Sequence, residues 1–303
     1  MTLNDAHCHF FSTIFFSILG RALPSVNPDH AADVAIEKLG WDAPGPPEQL
    51  ADRWAAELNR HRVSRAALIA SVPDDAASVT AAVRRHPTRF VGFFMVDPTQ
   101  PDAHVAAADA IDRGNLATMC LFPAMHRYAL QDDRVRRIFD IAAARPGTVV
   151  FVHCGVLSVG ARAKLGLPSP FDIRFGNPID LHAVALRYPT VPIVVPHFGA
   201  GMFREALMLA DLCPNVVLDT SSSNRWMKYQ SPELTFATVF KQALAVVGPK
   251  RLLFGTDSSF FPRGWVGDVF ERQSAALEEL GVAADVKEQI FGGNFDRIFP
   301  LTR

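Results

Sequence analysis

Two stretches decide the fold: VVFVHCG at residues 149–155 and PIVVPHFGAG at residues 192–201. In each, a run of β-branched or aromatic residues ends in a histidine, and a glycine follows closely. A continuous apolar run of this kind is typical of a strand covered on both faces, as a parallel sheet requires, because a half-exposed antiparallel strand alternates instead. The two stretches therefore predict buried parallel strands with polar side chains at their ends.

Eight such runs occur along the chain, and each is followed by a segment with helical periodicity. Strands are predicted at residues 3–9, 66–71, 90–96, 117–122, 149–153, 193–197, 216–220 and 252–257. Helices are predicted at residues 48–61, 74–87, 103–113, 133–144, 179–187, 202–212, 233–247 and 268–280.

The repeated strand and helix units predict one α/β domain over residues 1–303, a single (β/α)8 TIM barrel with a C-terminal helical tail. An open doubly wound sheet is the alternative. That alternative lacks its usual signature, because no G-x-G-x-x-G motif follows the first predicted strand.

Composition limits the classes of partner. The 303 residues are 49% hydrophobic and carry a formal charge of -1, with no run of like charge. This balance is compatible with a small-molecule substrate, but it disfavours nucleic acid and an anionic membrane as partners. The apolar stretch at residues 10–19 is about half the length of a membrane crossing. Asp5 stands where a signal peptide would be basic, so we expect a cytoplasmic protein.

The first predicted strand carries two candidate metal ligands. His7 and His9 are two positions apart, so their side chains share one face with Cα atoms about 6.6 Å apart. His153, His197 and Asp257 each end another predicted strand. Barrel enzymes build their active sites at the C-terminal ends of the strands. A single histidine there often only bonds a backbone carbonyl, but five ligand-type residues together predict a site for Zn²⁺, Mn²⁺ or Fe²⁺.

Several motifs together resemble those of the amidohydrolase superfamily: DAHCHF, FVHCG, PHFGAG, FGTD and FGGNFDRIF. The resemblance is to the amidohydrolase-related branch that contains aminocarboxymuconate semialdehyde decarboxylase and γ-resorcylate decarboxylase. It implies a distorted barrel in which one divalent ion is held by His7, His9, His153 and Asp257. Zinc is the first expectation, with manganese or iron as alternatives. It also implies that His197, together with Asp257, handles protons at the substrate, unless His197 is a further ligand. A homodimer is the assembly that the resemblance implies.

Two departures from the family pattern stand out. Many members place a lysine at the end of strand four, where its carboxylated form bridges two metals. This chain has Cys120, Leu121 and Phe122 there, so we expect one ion. After Asp257 the chain reads SSFFPRGW, where relatives commonly have Tyr-Pro. The substrate pocket is therefore not a copy of theirs.

Loops after the strands supply the candidate substrate contacts. Arginine binds carboxylates through two parallel hydrogen bonds, so cations in these loops indicate an acidic, aromatic or carboxylated substrate. The candidates are Arg174, Arg225, Trp226 and Arg263. The alternative for each arginine is a solvated surface charge. Phenylalanines at positions 10, 11, 15 and 16 either cover the pocket or fill the core.

Three functions are compatible with this sequence. The first is a mononuclear metal-dependent hydrolase that cleaves an amide, ester or lactone of a small organic acid. The second is a metal-dependent non-oxidative decarboxylase, and a hydratase acting on an unsaturated acid is related to it. The third is a metal-free barrel, either a lactonase or a binding protein, because a fold alone does not determine function.

Overall fold

The computed structural model describes residues 1–222, 224–232 and 234–301. Eight parallel strands lie in one sheet in the order in which they occur along the chain. The strands are β1 Asn4–Phe10, β2 Arg65–Ala70, β3 Phe90–Val96, β4 Thr118–Leu121, β5 Val149–Val152, β6 Ile193–Val195, β7 Val216–Asp219 and β8 Leu252–Leu253. This sequential order confirms the predicted TIM barrel and rules out the doubly wound sheet, whose strand order reverses.

Backbone hydrogen bonds close the barrel between β8 and β1. The amide of Ala6 donates to the carbonyl of Phe254 at 2.8 Å, and the amide of Asp257 donates to the carbonyl of His7 at 2.9 Å. A further bond runs from the amide of His9 to the carbonyl of Ser258 at 2.6 Å. The chain after β8 thus runs alongside β1 and brings Asp257 next to the two histidines of β1.

Helices surround the sheet. The α-helices are α1 Thr13–Arg21, α2 Ala31–Leu39, α3 Pro47–Arg60, α4 Ala76–Arg85, α5 Ala103–Asp112, α6 Pro123–His126, α7 Asp133–Ala143, α8 Gly160–Lys164, α9 His182–Arg187, α10 Phe203–Leu212, α11 Phe236–Val247, α12 Gly267–Glu279, α13 Ala284–Glu288 and α14 Asn294–Ile298. Short 3₁₀ turns span Pro28–His30, Ile173–Phe175, Pro178–Leu181, His197–Gly199, Arg225–Tyr229 and Pro249–Arg251, and a π-helical turn spans Gln289–Gly293. The last three segments, α13, the π-helical turn and α14, form the predicted C-terminal helical tail.

The barrel interior is packed rather than hollow at its lower end. Ile69, Phe93 and Phe151 are buried inside it, and Phe295 and Phe299 from the C-terminal tail join the same cluster. A larger apolar layer lies between the sheet and the helices. Since the interior is filled below, the polar residues at the C-terminal strand ends lie at the open, upper end of the barrel.

Several boundaries differ from prediction. The regular pairing of β8 ends at Leu253, four residues before the predicted end at Asp257. The residues that follow pair with β1 only through isolated backbone hydrogen bonds. The predicted helix 179–187 is divided into a 3₁₀ turn and α9. The start of the predicted helix 233–247 at residue 233 lies outside the described residues, and α11 begins at Phe236. Helices α1 and α2 are absent from the prediction.

The four cysteines, Cys8, Cys120, Cys154 and Cys213, are buried and form no disulfide. Within the described ranges, no helix combines the length and apolar character that a membrane crossing requires.

Candidate active site

A cavity of about 680 Å³ opens at the C-terminal ends of the strands. The five predicted chemistry-bearing residues all line it: His7, His9, His153, His197 and Asp257. They come from four different strands or strand ends that are up to 250 positions apart in the sequence. The barrel therefore brings together all of the metal-ligand and proton-transfer candidates.

His7, His9 and Asp257 form the tightest group. Their ligand atoms all lie within 4.8 Å of one another. Oδ1 of Asp257 is 3.1 Å from Nε2 of His9 and 3.7 Å from Nε2 of His7. The pairing of β1 with β2 shifts by one residue between Asp5 and Cys8. The shifted stretch contains His7, and an irregularity of this kind changes the direction of side chains locally.

Close packing around His7 explains the glycine of the FGTD motif. A Cβ atom added at Gly255 would lie 2.8 Å from Cβ of His7, so no side chain fits at that position. Two residues later, Asp257 has a φ of 61°, a left-handed conformation that is rare for a residue other than glycine. Its amide is fixed by the carbonyl of His7. This conformation is maintained although it is strained, as is typical of functional positions.

The tautomer of His9 can be derived from its partner. The Ser71 hydroxyl donates to the carbonyl of Ile69 at 3.0 Å, so its proton is used there. Nδ1 of His9, 2.7 Å from the Ser71 oxygen, must then be the donor of that hydrogen bond. Burial also lowers the pKa of His9. The imidazole is therefore neutral, and its Nε2 offers a lone pair towards Asp257.

Asp219, at the end of β7, fixes the tautomer of His7 as Ser71 fixes that of His9. Nδ1 of His7 donates to Oδ2 of Asp219 at 2.7 Å, and Asp219 is fully buried. Burial alone would lower the pKa of His7, but the Asp219 carboxylate outweighs it and raises that pKa. A carboxylate behind a histidine fixes the ring and leaves Nε2 for a metal. Asp219 is absent from the predicted site, although its place at a C-terminal strand end is the same signal that identifies His153.

His197 lies beside His7, with ring centroids 4.9 Å apart. Its Nδ1 is 2.9 Å from Oγ of Ser221 and 3.3 Å from the Ser221 carbonyl oxygen. Burial lowers the pKa of His197, so the ring is neutral. Because the carbonyl only accepts, Nδ1 carries the proton and Nε2 remains as a base. The φ of 56° at His197 is a second left-handed conformation in the site.

His153 is buried in the same cavity, but it lies outside the group of three. Its ring stacks on that of Phe122, with centroids 5.4 Å apart, and its centroid is 5.3 Å from that of His197. Burial holds the pKa of His153 well below its usual value. Its Nδ1 is buried without a hydrogen-bond partner among the described residues. An unpaired polar atom of this kind is costly when it is buried, so a bound group that pairs with this ring would be stabilising.

This donor set fits a divalent ion. His9 is neutral and presents its Nε2 lone pair beside the carboxylate of Asp257. His7, held at Nδ1 by Asp219, has its Nε2 near the same carboxylate, and His153 adds another neutral ring nearby. Burial favours the neutral form of Asp257, but its contacts with the rings of His9, His7 and His197 hold its pKa well below the usual range. Imidazole nitrogen and carboxylate oxygen together suit Zn²⁺, Mn²⁺ or Fe²⁺. At the end of β4, burial keeps the Cys120 thiol protonated by raising its pKa far above normal.

Two of the four predicted substrate contacts line the cavity. Arg225 and Arg263 both do so. Arg263 donates to Oγ of Ser259 at 2.7 Å and to the carbonyl oxygen of Asp257 at 3.3 Å. It therefore lies beside the candidate ligand group, where it can meet a substrate carboxylate.

The predictions for Arg174 and Trp226 are not supported by their positions. The side chain of Arg174 is 84% exposed and pairs with Asp172 at 2.5 Å, away from the cavity. Trp226 is buried against Phe203 and donates to Oδ1 of Asn224 at 2.6 Å. A neighbouring carboxylate holds the arginine at the surface, and the 3₁₀ turn Arg225–Tyr229 directs the tryptophan into the core.

The phenylalanines after β1 divide between two roles. Phe11 and Phe15 line the cavity, whereas Phe10 and Phe16 are buried in the core. The other lining residues, absent from the prediction, include Trp41, Lys164 and Phe260. They lie in loops or helices whose sequence carries no local signal for a binding site.

Clustered histidines and a carboxylate at the upper end of a TIM barrel are an arrangement found in barrel enzymes that use metal ions. Comparison with known proteins narrows this class. A protein-family model described as amidohydrolase matches residues 5–301. The chain therefore belongs to the amidohydrolase family and is an enzyme of the amidohydrolase type.

Solved structures with the same fold include three informative ones. An uncharacterised TIM-barrel protein from Bordetella bronchiseptica has a TM-score of 0.67 and 18% identity, covering 99% of both chains. A probable 2-pyrone-4,6-dicarboxylic acid hydrolase from Acinetobacter baumannii, with citric acid bound, has a TM-score of 0.61 and 13% identity, covering 99% of both. The 5-carboxyvanillate decarboxylase of Novosphingobium aromaticivorans, with manganese and a nitrobenzoic acid bound, has a TM-score of 0.62 and 14% identity, covering 98% of this chain and 97% of its own.

One curated relative matches in sequence. The protein fluG of Emericella nidulans is 34% identical over 86 residues, which are 28% of this chain and 10% of that protein. The chain thus matches a tenth of the length of this relative.

Proposed function

We propose that the protein is a mononuclear metal-dependent hydrolase that cleaves an amide, ester or lactone of a small carboxylated or aromatic acid. His7, His9, His153 and Asp257 are the proposed ligands of one divalent ion, with zinc first and manganese or iron as alternatives. One observation carries this proposal: Nε2 of His9 and Nε2 of His7 lie 3.1 Å and 3.7 Å from the same carboxylate oxygen of Asp257.

A divalent ion in this site would act as a Lewis acid that activates water and polarises a substrate oxygen. The protein residues supply the remaining steps. Asp219 and Ser71 hold His7 and His9 in the required tautomers. His197 accepts a proton from the attacking water at its Nε2, because its Nδ1 is held by Ser221. His197, with Asp257 beside it, then returns a proton to the leaving group.

The substrate is held by charge. Among the described lining residues, Arg225, Arg263 and Lys164 are cationic and Asp257 is the acidic one. This excess of positive charge favours an anionic substrate, and guanidinium groups bind a carboxylate through two parallel bonds. A small organic acid is therefore the proposed partner. The prediction of a homodimer in the cytoplasm, without nucleic-acid or membrane partners, stays a prediction.

Decarboxylation is the second candidate, favoured by the same cationic cavity. In that reaction, arginine orients the substrate carboxylate, the bond to the carboxyl carbon breaks, and CO₂ leaves. A proton from His197 or Asp257 then reaches the carbon that retained the electron pair. A decarboxylase of solved structure has the same fold, which supports decarboxylation as the second candidate.

The two reactions can be separated by their products. Metal-loaded enzyme would be incubated with a panel of aryl amides, esters, lactones and aromatic carboxylic acids, and both acid release and CO₂ release would be measured. Hydrolase activity predicts acid without CO₂, and it predicts that chelation removes the activity. The same product from enzyme stripped of metal would contradict both metal-dependent reactions and favour the metal-free lactonase.

A further inference from the structure

The loop after β7 is built around the side chain of Asn224. This residue is buried and has a φ of 49°, a left-handed conformation that asparagine tolerates better than most residues. Its Nδ2 lies 3.1 Å from the carbonyl oxygen of Thr220, 3.0 Å from that of Ser221 and 2.9 Å from that of Ser222. On its other side, Nε1 of Trp226 donates to Oδ1 at 2.6 Å. One buried amide therefore joins four residues of this loop.

The chemistry of these partners fixes the orientation of the Asn224 amide. An indole nitrogen only donates, so Trp226 requires the side-chain oxygen. A carbonyl oxygen only accepts, so the three carbonyls require the NH₂ group. Exchanging the oxygen and the nitrogen would set a donor against the indole and an acceptor against the carbonyls. Asn224 therefore holds one orientation, and its amide protons are shared among the three carbonyls.

The Ser221 carbonyl connects Asn224 to the candidate base. Its oxygen, which accepts from Asn224 at 3.0 Å, also lies 3.3 Å from Nδ1 of His197. A carbonyl oxygen has two lone pairs and can accept both bonds. Oγ of Ser221 is 2.9 Å from the same histidine nitrogen, and the Ser221 amide donates to Oδ1 of Asp219 at 2.6 Å. Ser221 is thus held at its amide by Asp219 and at its carbonyl by Asn224.

The two histidines beside Ser221 differ in how their tautomers are set. Nδ1 of His7 donates directly to the Asp219 carboxylate at 2.7 Å. Among the described residues, Nδ1 of His197 has only Ser221 as a hydrogen-bond partner. The Ser221 hydroxyl can donate or accept, whereas the carbonyl only accepts. The carbonyl is therefore the group that requires a proton on Nδ1 of His197, and the tautomer depends on where that carbonyl points.

We infer that Asn224 is a positioning residue for His197. By binding the Ser221 carbonyl, Asn224 keeps that oxygen beside the ring, which places the proton on Nδ1 of His197 and leaves Nε2 free to accept one. The inference rests on the proposed function for the role of His197 as the base. It assigns the tautomer of that base to a residue that touches neither the ring nor the candidate metal ligands.

The test is nitrogen-15 nuclear magnetic resonance of the full-length protein, labelled at histidine, at about pH 8, where a buried imidazole is neutral. Spectra are recorded before and after chelation, because an ion bound at Nε2 would itself fix the tautomer. The signals of His197 and His7 are assigned by their loss in His197→Gln and His7→Gln. The unchanged protein should show a protonated Nδ1 and an unprotonated Nε2 for His197 in both states.

Two variants remove the bonds of Asn224 in different ways. Asn224→Gly accommodates the left-handed backbone and removes the whole amide. Asn224→Asp keeps the shape and an oxygen for Trp226, but it offers no NH₂ group to the carbonyls. After chelation, His197 should become a mixture of tautomers in both variants, so the shifts of its two nitrogens should move towards each other. Nδ1 of His7 should keep its proton, because Asp219 holds it directly.

Asn215→Asp is the matched control. Asn215 comes just before β7, at the opposite end of the strand from the candidate site. Its Nδ2 also contacts three carbonyl oxygens, at 3.2, 3.0 and 3.1 Å, those of Ala185, Tyr188 and Val191. The control loses a comparable set of bonds, so it should be less stable than the unchanged protein and should show the same His197 tautomer.

Four results would overturn the inference. They are a proton on Nε2 of His197 in the unchanged protein, an unaltered His197 in the Asn224 variants, the same change of His197 in Asn215→Asp, and a change of His7 together with His197. The last result would show that Asn224 is purely structural. Circular dichroism checks the fold, and if Asn224→Asp fails to fold, Asn224→Gly decides the test.

These outcomes are separate from those of the proposed function. Metal content and metal-dependent turnover decide whether the enzyme is a metal-dependent hydrolase. The position of the His197 proton is read from the spectrum alone, so it can be confirmed or refuted whatever reaction the site performs.

Discussion

At the scale of single residues, two residues of the candidate site have strained backbone conformations, and buried hydrogen bonds hold the residues around them. His197 and Asp257 both have left-handed backbone conformations, with φ of 56° and 61°. Such conformations cost about 1–3 kcal/mol each and persist where the surroundings impose them. Behind the site, the Asp5 carboxylate accepts bonds from Thr256 and Trp265. The residues that flank Asp257 are thereby fixed by a buried group from β1.

Asp219→Asn should weaken metal binding about 10- to 100-fold. The amide side chain of this variant can still contact His7, but it lacks the charge that favours a proton on Nδ1, so the ring no longer presents Nε2 reliably. The measurement is the dissociation constant for zinc by competition with a chelator. Asp211→Asn, a change at an exposed carboxylate on α10, is the control and should leave that constant unchanged. Unaltered affinity in Asp219→Asn would contradict the assigned role.

His153→Ala should abolish turnover while leaving the fold largely intact. The substitution removes a neutral imidazole beside the ligand group and also removes a buried Nδ1 that has no partner among described residues. Turnover and the circular dichroism spectrum are the two measurements. His30→Ala changes an exposed histidine outside the cavity and serves as the control. Full activity in His153→Ala would refute its assignment as a ligand.

At the scale of elements, helix α7 begins with a side-chain cap. Oδ1 of Asp132 accepts from the backbone amide of Arg134 at 2.8 Å, and the Arg134 guanidinium bonds the same carboxylate. The Arg134 hydrogen bonds lower the pKa of Asp132 to about 2. A lowered pKa means that the folded state prefers the ionised group. This stabilisation is fully present above the ordinary pKa of 3.8 and is lost as pH falls towards 2.

Asp132→Ala should therefore destabilise the protein by about 1 kcal/mol at neutral pH, a typical cost for a lost cap. The difference in unfolding free energy from the unchanged protein should shrink as pH falls from about 4 to 2, and urea unfolding at a series of pH values measures it. Asp132→Asn keeps the amide oxygen as an acceptor, so it should recover part of the loss and show no acid dependence of its own. A difference that stays constant down to about pH 2 would contradict the pKa argument.

Local sequence predicts some elements better than others. The predicted bounds of β3 match the observed ones because all seven of its residues are buried and apolar or glycine. The predicted end of β8 is too late, because the apolar run continues in Phe254 while regular pairing stops at Leu253. Helix α1 is missed since its phenylalanines suggest a pocket cover, although Ser12 caps it by accepting from the amides of Ile14 and Phe15.

At the scale of the whole molecule, the barrel explains which site residues the sequence could predict. The five central candidates lie at or near the C-terminal ends of strands in a parallel barrel, and this rule alone places them together. Trp41, Lys164 and Phe260 come from three separate segments after different strands. Their proximity depends on how loops fold over the barrel mouth, which local patterns do not encode. The same reason explains why Arg174 lies outside the cavity lining: its loop carries Asp172, which pairs with it.

The central claim is that the ligand group holds one divalent ion, and metal analysis of the purified protein tests it most directly. Elemental mass spectrometry of the unchanged protein and of Asp257→Asn should give about one zinc, manganese or iron per chain in the first and much less in the second. Asp211→Asn, analysed alongside, should keep the full content. Two ions per chain would contradict the mononuclear site, and none after reconstitution with each of these metals would contradict the metal-dependent enzyme.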